Sequence, residues 1–146
     1  MKNKKILAID FGESNIGLAA TDSGANLVFG KGSLKRGKSL DDIFKKIKGF
    51  CDEEQVVKVI FGLPKGKNAE DTEQTERYRR IGRKLSDYLG NIFFEFEDES
   101  FTSYEAREMS AGFEDDLLKT QYSEHELAAM IILRRYLHHH PPESDE

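Results

Sequence analysis

Apolar residues follow two different periods along this chain, and the period assigns each segment to a strand or a helix. Five segments have the alternating or near-continuous apolar character of strands, and glycine, proline or polar turn residues bound them. We predict strands at residues 5–10, 16–21, 26–33, 56–63 and 92–96. Gly12 and Asn15 provide the positive-φ conformations of a tight turn, so the first two strands should form an antiparallel pair.

The other apolar residues recur at the spacing of amphipathic helices. They predict helices over residues 39–53 and 71–89, a short helix over 102–110, and a last helix that begins near Ser123. The order β-β-β-α-β-α-β-α-α is a meander of three strands followed by two right-handed crossovers. The sequence therefore predicts an α/β fold. Its mixed five-stranded sheet, a three-strand antiparallel meander plus two parallel strands, should carry helices on both faces.

Length and charge limit the interpretation further. The 146 residues suit a single domain, which we place at residues 1–137, followed by a polar tail at 138–146. The formal net charge is −5, so any contact with nucleic acid must use a local basic patch. No apolar run approaches the ~18 residues of a membrane span, which predicts a cytoplasmic protein without a membrane partner. Cys51 lies on the apolar face of a predicted helix and is expected to be a buried thiol.

Two carboxylates stand at the ends of predicted strands. Asp10 closes the first strand and Glu99 follows the last, so they could meet if those two strands were neighbours. Carboxylates brought together repel each other unless a cation such as Mg²⁺, which prefers oxygen ligands, lies between them. A third ligand could come from the first turn of the last helix, at Glu124, His125 or Glu126.

Each of these residues also has an ordinary structural interpretation. Asp10 suits a turn, and Glu99 could be a solvated acid near a helix start. Glu124 and Glu126 could simply complement a helix dipole, and His125 could be a cap or a surface residue.

Six motifs occur in an order and spacing similar to those of a known family. They are Ala-Ile-Asp-Phe-Gly at 8–12, Ile-Gly-Leu-Ala at 16–19, Phe-Gly-Leu-Pro at 61–64, Asp-Glu at 98–99, Thr-Ser-Tyr-Glu-Ala at 102–106 and Ala-Ala-Met-Ile-Ile-Leu at 128–133. The pattern spans residues 5–137 and resembles the YqgF (RuvX) family. That family is described as Holliday-junction-resolvase-like, or as the nuclease that matures precursor 16S rRNA. The resemblance implies an RNase H-like fold and hydrolysis of phosphodiester bonds.

The resemblance also implies a catalytic site that binds Mg²⁺ or Mn²⁺. Asp10 and Glu99 match two of the family's metal ligands, and the third position, an Asp in the family, falls on His125. An imidazole is a softer ligand than a carboxylate, so Mn²⁺ could serve better than Mg²⁺ here. Glu124 or Glu126 could replace His125 as the ligand.

Phosphate binding departs from the family pattern as well. Ser100 stands where the family has a cationic residue after the catalytic Glu. The chain instead carries bases after the fourth strand and on the following helix, which we interpret as a nucleic-acid-binding wall. Its members are Lys65, Lys67, Arg77 and Arg80.

The expected partners are structured RNA, branched DNA and ribosomal precursor particles, with the protein a monomer or a weak homodimer. One alternative is a catalytically impaired nucleic-acid-binding or ribosome-assembly module of the same fold. A less favoured one is an actin-like ATPase, because Ile-Asp-Phe-Gly before a hairpin also resembles the phosphate-binding opening of those enzymes. They bind ATP between two such domains, and this chain has residues for one.

Overall fold

The computed structural model describes residues 2–37, 39–99 and 121–141. Five strands and three helices lie in these ranges, and all of them were predicted. They are β1 (Ile6–Phe11), β2 (Asn15–Thr21), β3 (Val28–Lys35), α1 (Leu40–Glu54), β4 (Lys58–Leu63), α2 (Glu73–Leu89), β5 (Phe93–Asp98) and α3 (Glu124–His139). The short helix predicted at 102–110 lies outside the described residues, as does Ser100.

The strands form one sheet in the order β3-β2-β1-β4-β5. β1 and β3 both run antiparallel to β2, while β4 runs parallel to β1 and to β5. This confirms the mixed sheet with its three-strand meander and two added parallel strands. Because β1, β4 and β5 are parallel, Phe11, Leu63 and Asp98 end them at the same side of the sheet, which we call the carboxyl edge.

Side-chain alternation along β1 separates two apolar layers. Leu7, Ile9 and Phe11 pack with the buried residues of α1 and α2 on one face. Ile6 and Ala8 pack with α3 on the other face. Each large aliphatic side chain that is fully buried in these layers stabilises the fold by about 1.5–3 kcal/mol. The helices therefore cover both faces, as the sequence predicts.

The last helix continues past the expected domain end at residue 137. α3 runs to His139, and the ring of His140 stacks on that of Tyr136 with 4.4 Å between centroids. His139 Nδ1 also lies 3.7 Å from a carboxylate oxygen of Glu97. The first histidines of the predicted tail are thus in contact with the fold, and residues 142–146 lie outside the described ranges.

Cys51 is buried in the layer beneath α1, and burial raises the pKa of its thiol to about 12, so it is an inert core residue. In the described part of the chain no helix is long and apolar enough to cross a membrane.

Candidate active site

Strand alternation brings Asp10 and Glu99 to the same face of the carboxyl edge. Asp10 is the next residue after Ala8 on the α3 face of β1, and Glu99 directly follows β5. The backbone N–H of Glu99 donates to the carbonyl oxygen of Leu63 at 2.9 Å, which holds Glu99 against the end of β4. The two carboxyl groups are joined by a side-chain hydrogen bond.

This meeting does not come from neighbouring strands, because β4 lies between β1 and β5. The Glu99 side chain instead crosses β4 over Gly62. A Cβ atom added at Gly62 would lie 3.3 Å from Cδ of Glu99 and 2.6 Å from Cδ1 of Ile132 on α3. Glycine at position 62 therefore leaves the space through which Glu99 reaches Asp10.

A second glycine brings the start of α3 to the same place. Gly17 of β2 is the register partner of Asp10 across the β1–β2 ladder. A Cβ atom at Gly17 would overlap the backbone carbonyl of His125. The first turn of α3 thus lies directly on the sheet beside Asp10, and the charge of His125 acts to lower the pKa of Asp10.

The two glutamates that flank His125 are placed differently. Glu124 is exposed. Glu126 uses both of its oxygens: Oε1 accepts from the backbone N–H of Ser123 at 3.0 Å, and Oε2 accepts from that of Gly32 on β3 at 2.8 Å. These bonds complete a capping box and tie the start of α3 to the edge strand. Of the three first-turn candidates, His125 is the one whose charge acts on Asp10.

Burial dominates the electrostatics of the carboxyl pair. It raises the pKa of Glu99 to about 8, helped by the nearby charge of Asp10 and by the hydrogen bond that Glu99 donates to it. Burial also raises the pKa of Asp10, while the bond from Glu99 and the charge of His125 oppose the rise. In the metal-free protein near neutral pH the pair therefore holds one proton between two half-buried carboxyl groups.

The chemistry of this donor set fits a hard divalent cation. Two carboxyl groups in hydrogen-bond contact present oxygen ligands, and the shared proton occupies the position where positive charge is favoured. Over residues 2–37, 39–99 and 121–141, no group of three or more His, Cys, Asp or Glu side chains has the arrangement of a metal site. The described residues thus contribute two carboxyl groups, and His125 acts on Asp10 through its charge.

The four predicted nucleic-acid-binding bases differ in their surroundings. The Lys65 side chain is only 9% exposed; its ammonium pairs with Asp71 and lies 3.6 Å from Asp98. Arg77 donates to Glu13 at 2.8 Å. Lys67 and Arg80 are exposed and form no ion pair with another described residue. Because α2 and α3 cover opposite faces, the sheet separates α2, with Arg77 and Arg80, from the carboxyl pair.

Several residues that shape this edge were missed from the sequence. Gly17 and Gly62 interrupt apolar strands, which is a known signal of close approach by another group, although it does not identify that group. Glu13, Arg36 and Tyr78 also meet near the end of β1. They come from a turn, a loop and a helix, and no sequence spacing connects them.

Comparison with known proteins identifies the family and agrees with this fold. The sequence matches the RuvX family, described as Holliday junction resolvase, over residues 4–139. A Malacoplasma penetrans protein provisionally named a pre-16S rRNA nuclease is 33% identical over 137 residues, covering 92% of this chain and 94% of that protein. The Deinococcus radiodurans protein named ribonuclease YqgF is 33% identical over 119 residues, covering 82% of this chain and 84% of that protein.

A solved structure shows the same fold. Thermus thermophilus RuvC in complex with a Holliday junction substrate superposes with a TM-score of 0.59 at 10% identity, covering 93% of this chain and 94% of that one. Its low identity makes it evidence for the fold alone. The sequence match spans all of the described strands and helices, and its range includes Asp10, Glu99 and His125. This chain belongs to the RuvX family of Holliday junction resolvases.

Proposed function

We propose that this protein is a divalent-metal-dependent nuclease that hydrolyses phosphodiester bonds in structured RNA, with precursor 16S rRNA as its substrate. The observation that carries the proposal is the Asp10–Glu99 pair, whose side chains are hydrogen-bonded to each other at the carboxyl edge. Relatives of similar length are named as ribonucleases or as pre-16S rRNA nucleases. The protein would bind this substrate as part of ribosomal precursor particles.

Asp10 and Glu99 would hold Mg²⁺ or Mn²⁺, with His125 beside them as the third candidate ligand. When bound, the ion would supply Lewis-acid stabilisation of the charge that develops on the phosphate. The protein's part is to release the shared proton, so that both carboxyl groups become ligands. Because burial keeps the pKa of Glu99 near 8, proton release and metal binding are coupled.

Cleavage of a precursor 16S rRNA fragment in Mn²⁺ or Mg²⁺ tests the proposal. Asp10→Asn and Glu99→Gln each remove one ionisable oxygen pair without changing side-chain size, and each should reduce cleavage by about 10³-fold or more. Asp41→Asn and Glu53→Gln are matched controls, because both carboxylates are exposed on α1 across the sheet from α3. Cleavage that survives in either site variant would show that these carboxylates do not hold the metal.

A second function is favoured by one observation, the imidazole at position 125. If His125 cannot complete the site, the protein is an RNA-binding or ribosome-assembly module without turnover. Salt-dependent RNA binding by the wild type without cleavage in either metal, together with cleavage by His125→Asp, would support this function. Binding and cutting of a four-way DNA junction, with no action on RNA, would instead identify branched DNA as the substrate.

A further inference from the structure

The turn between β1 and β2 holds a carboxylate, Glu13, that faces three donors from two segments, α2 and the residues after β3. One oxygen of Glu13 accepts from Nη2 of Arg77 at 2.8 Å and from the hydroxyl of Tyr78 at 3.1 Å. The other oxygen lies 3.9 Å from Nη1 of Arg36. The Glu13 side chain is nevertheless 63% exposed, so water and solutes reach the point where the three donors meet.

The donors are held in place by contacts other than Glu13. The guanidinium of Arg36 lies over the ring of Phe11, 5.0 Å from its centroid, and Nη1 approaches the carbonyl of Gly12 at 3.4 Å. The backbone N–H of Arg36 donates to the carbonyl of Ser14 at 2.9 Å. Arg77 lies 5.5 Å from the centroid of the Tyr78 ring. The cations would therefore stay close together if the Glu13 carboxylate left.

Tyr78 remains a donor over the physiological pH range. Burial raises the pKa of its hydroxyl, and the hydrogen bond to Glu13 raises it further. Two guanidinium groups and a protonated phenol that point at one anion form a set of donors suited to phosphate, since guanidinium pairs with phosphate as it does with carboxylate. In charge and in acceptor atoms, Glu13 occupies the place of a phosphate group.

The position of this cluster relates it to the candidate active site. Asp10 and Phe11 are consecutive in β1, and their side chains leave opposite faces of the sheet. The Glu13 cluster therefore lies at the same carboxyl edge as Asp10 but on the α2 face. A nucleic-acid strand whose cleaved phosphate lies at Asp10 and Glu99 could pass over the edge and bring another phosphate to Arg36 and Arg77.

We propose that Arg36, Arg77 and Tyr78 form a binding site for a non-cleaved phosphate of the RNA substrate, which Glu13 fills while no RNA is bound. This inference rests on the proposed function for the identity of the ligand. RNA binding then replaces one carboxylate by one phosphate on the same donors. Glu13 acts as an internal competitor that lowers affinity for RNA.

Binding of a fluorescein-labelled RNA hairpin with single-stranded flanks, in EDTA and over a series of salt concentrations, tests the site without cleavage. Glu13→Gln should bind about 3- to 10-fold more tightly, because it removes the competing charge. Arg36→Ala and Arg77→Ala should weaken binding, and each should reduce the slope of log affinity against log salt by about 1. Tyr78→Phe should weaken binding by about 2- to 5-fold with the slope unchanged, because it removes a neutral donor.

Arg83→Ala is the matched control, an exposed arginine of α2 that has no place in the cluster, and it should leave both affinity and slope close to wild type. Arg36→Lys retains the positive charge that Arg36→Ala removes, and it should keep the salt slope while losing affinity. Unchanged affinity and slope in the Arg36 and Arg77 variants would overturn the site.

The outcomes separate this inference from the proposed function. If the binding changes appear but no metal supports cleavage, the phosphate site stands and the nuclease proposal fails. If Asp10→Asn abolishes cleavage while the Glu13 and arginine variants bind RNA like wild type, the nuclease proposal stands and the phosphate site fails.

Discussion

Two groups of carboxylates at the carboxyl edge, one on each face of the sheet, are neutralised in different ways. On the α2 face, Glu13 meets two arginines, and Asp71 meets Lys65 and Arg79. On the α3 face, Asp10 and Glu99 meet each other and share a proton. Exposed ion pairs cost little to form, whereas a half-buried carboxyl pair without a cation resists ionisation. The comparison shows that the carboxyl pair on the α3 face, unlike the carboxylates on the α2 face, has no basic side chain that is hydrogen-bonded to it among the described residues, which is why we propose a cation there.

The close contact at Gly17 gives the largest expected effect on stability. Gly17→Ala would drive a methyl group into the backbone of His125, which cannot rotate away as a side chain could. We expect a loss of about 2–3 kcal/mol in the free energy of unfolding, measured by urea denaturation, together with weaker cleavage as α3 shifts away from Asp10.

Gly49→Ala provides the control for that variant. Gly49 lies in α1, and an added Cβ atom there has no heavy atom within 4 Å. The substitution should stabilise the protein by about 0.5–1 kcal/mol through helix propensity. Equal stability of the two variants would mean that the α3 face tolerates a side chain at position 17.

The shared proton makes the metal-free protein sensitive to pH. The folded-state pKa of Glu99 is about 8, above its ordinary value of 4.5. Between these values the folded protein keeps a proton that the unfolded chain has lost, so stability falls as pH rises from about 4.5 to about 8. Glu99→Gln does not ionise and should escape this loss.

Thermal and urea unfolding of the wild type and of Glu99→Gln in EDTA measures this pH dependence. At pH 5 the two should differ little, and at pH 9 Glu99→Gln should be more stable by about 1–3 kcal/mol, because relaxation and water entry relieve part of the burial cost. Mn²⁺ at pH 9 should stabilise the wild type but not the variant. A wild-type curve that is flat between pH 5 and pH 9 would contradict the shared proton.

The smallest expected effect is on the salt dependence of RNA binding, for which Lys65 and Lys67 can be compared directly. Lys65 already neutralises Asp71 and Asp98, whereas Lys67 is exposed. Lys67→Met should lower the salt slope of RNA binding by up to about 1, and Lys65→Met should lower it by less than half as much. A larger change for Lys65→Met would mean that RNA displaces Asp71 and Asp98 from this lysine.

Local sequence signals accounted for most of the fold. The apolar periods located the five strands and the described helices, and the turn residues joined β1 to β2. The insertion of β4 between β1 and β5 was not foreseen, because strand order depends on contacts between residues far apart in the chain.

The site was predictable only in part, because its geometry also depends on contacts between residues that are far apart in the chain. Asp10 and Glu99 stood out as carboxylates at strand ends, but the route of Glu99 over Gly62 depends on the strand beneath it. Lys65 appeared to be a free base because Asp71 and Asp98 follow it at no recognisable spacing. Charge pairing of this kind is decided by tertiary structure.

The bonds of Glu126 have a consequence for how this position can change over evolution. Because Glu126 binds both the helix cap and β3, the start of α3 is held in place independently of the side chain at position 125. Histidine and aspartate codons differ only in their first base. A single nucleotide exchange at position 125 can therefore replace the imidazole by a carboxylate while the start of α3 keeps its place on the sheet, so a change between histidine and aspartate here is readily reversible.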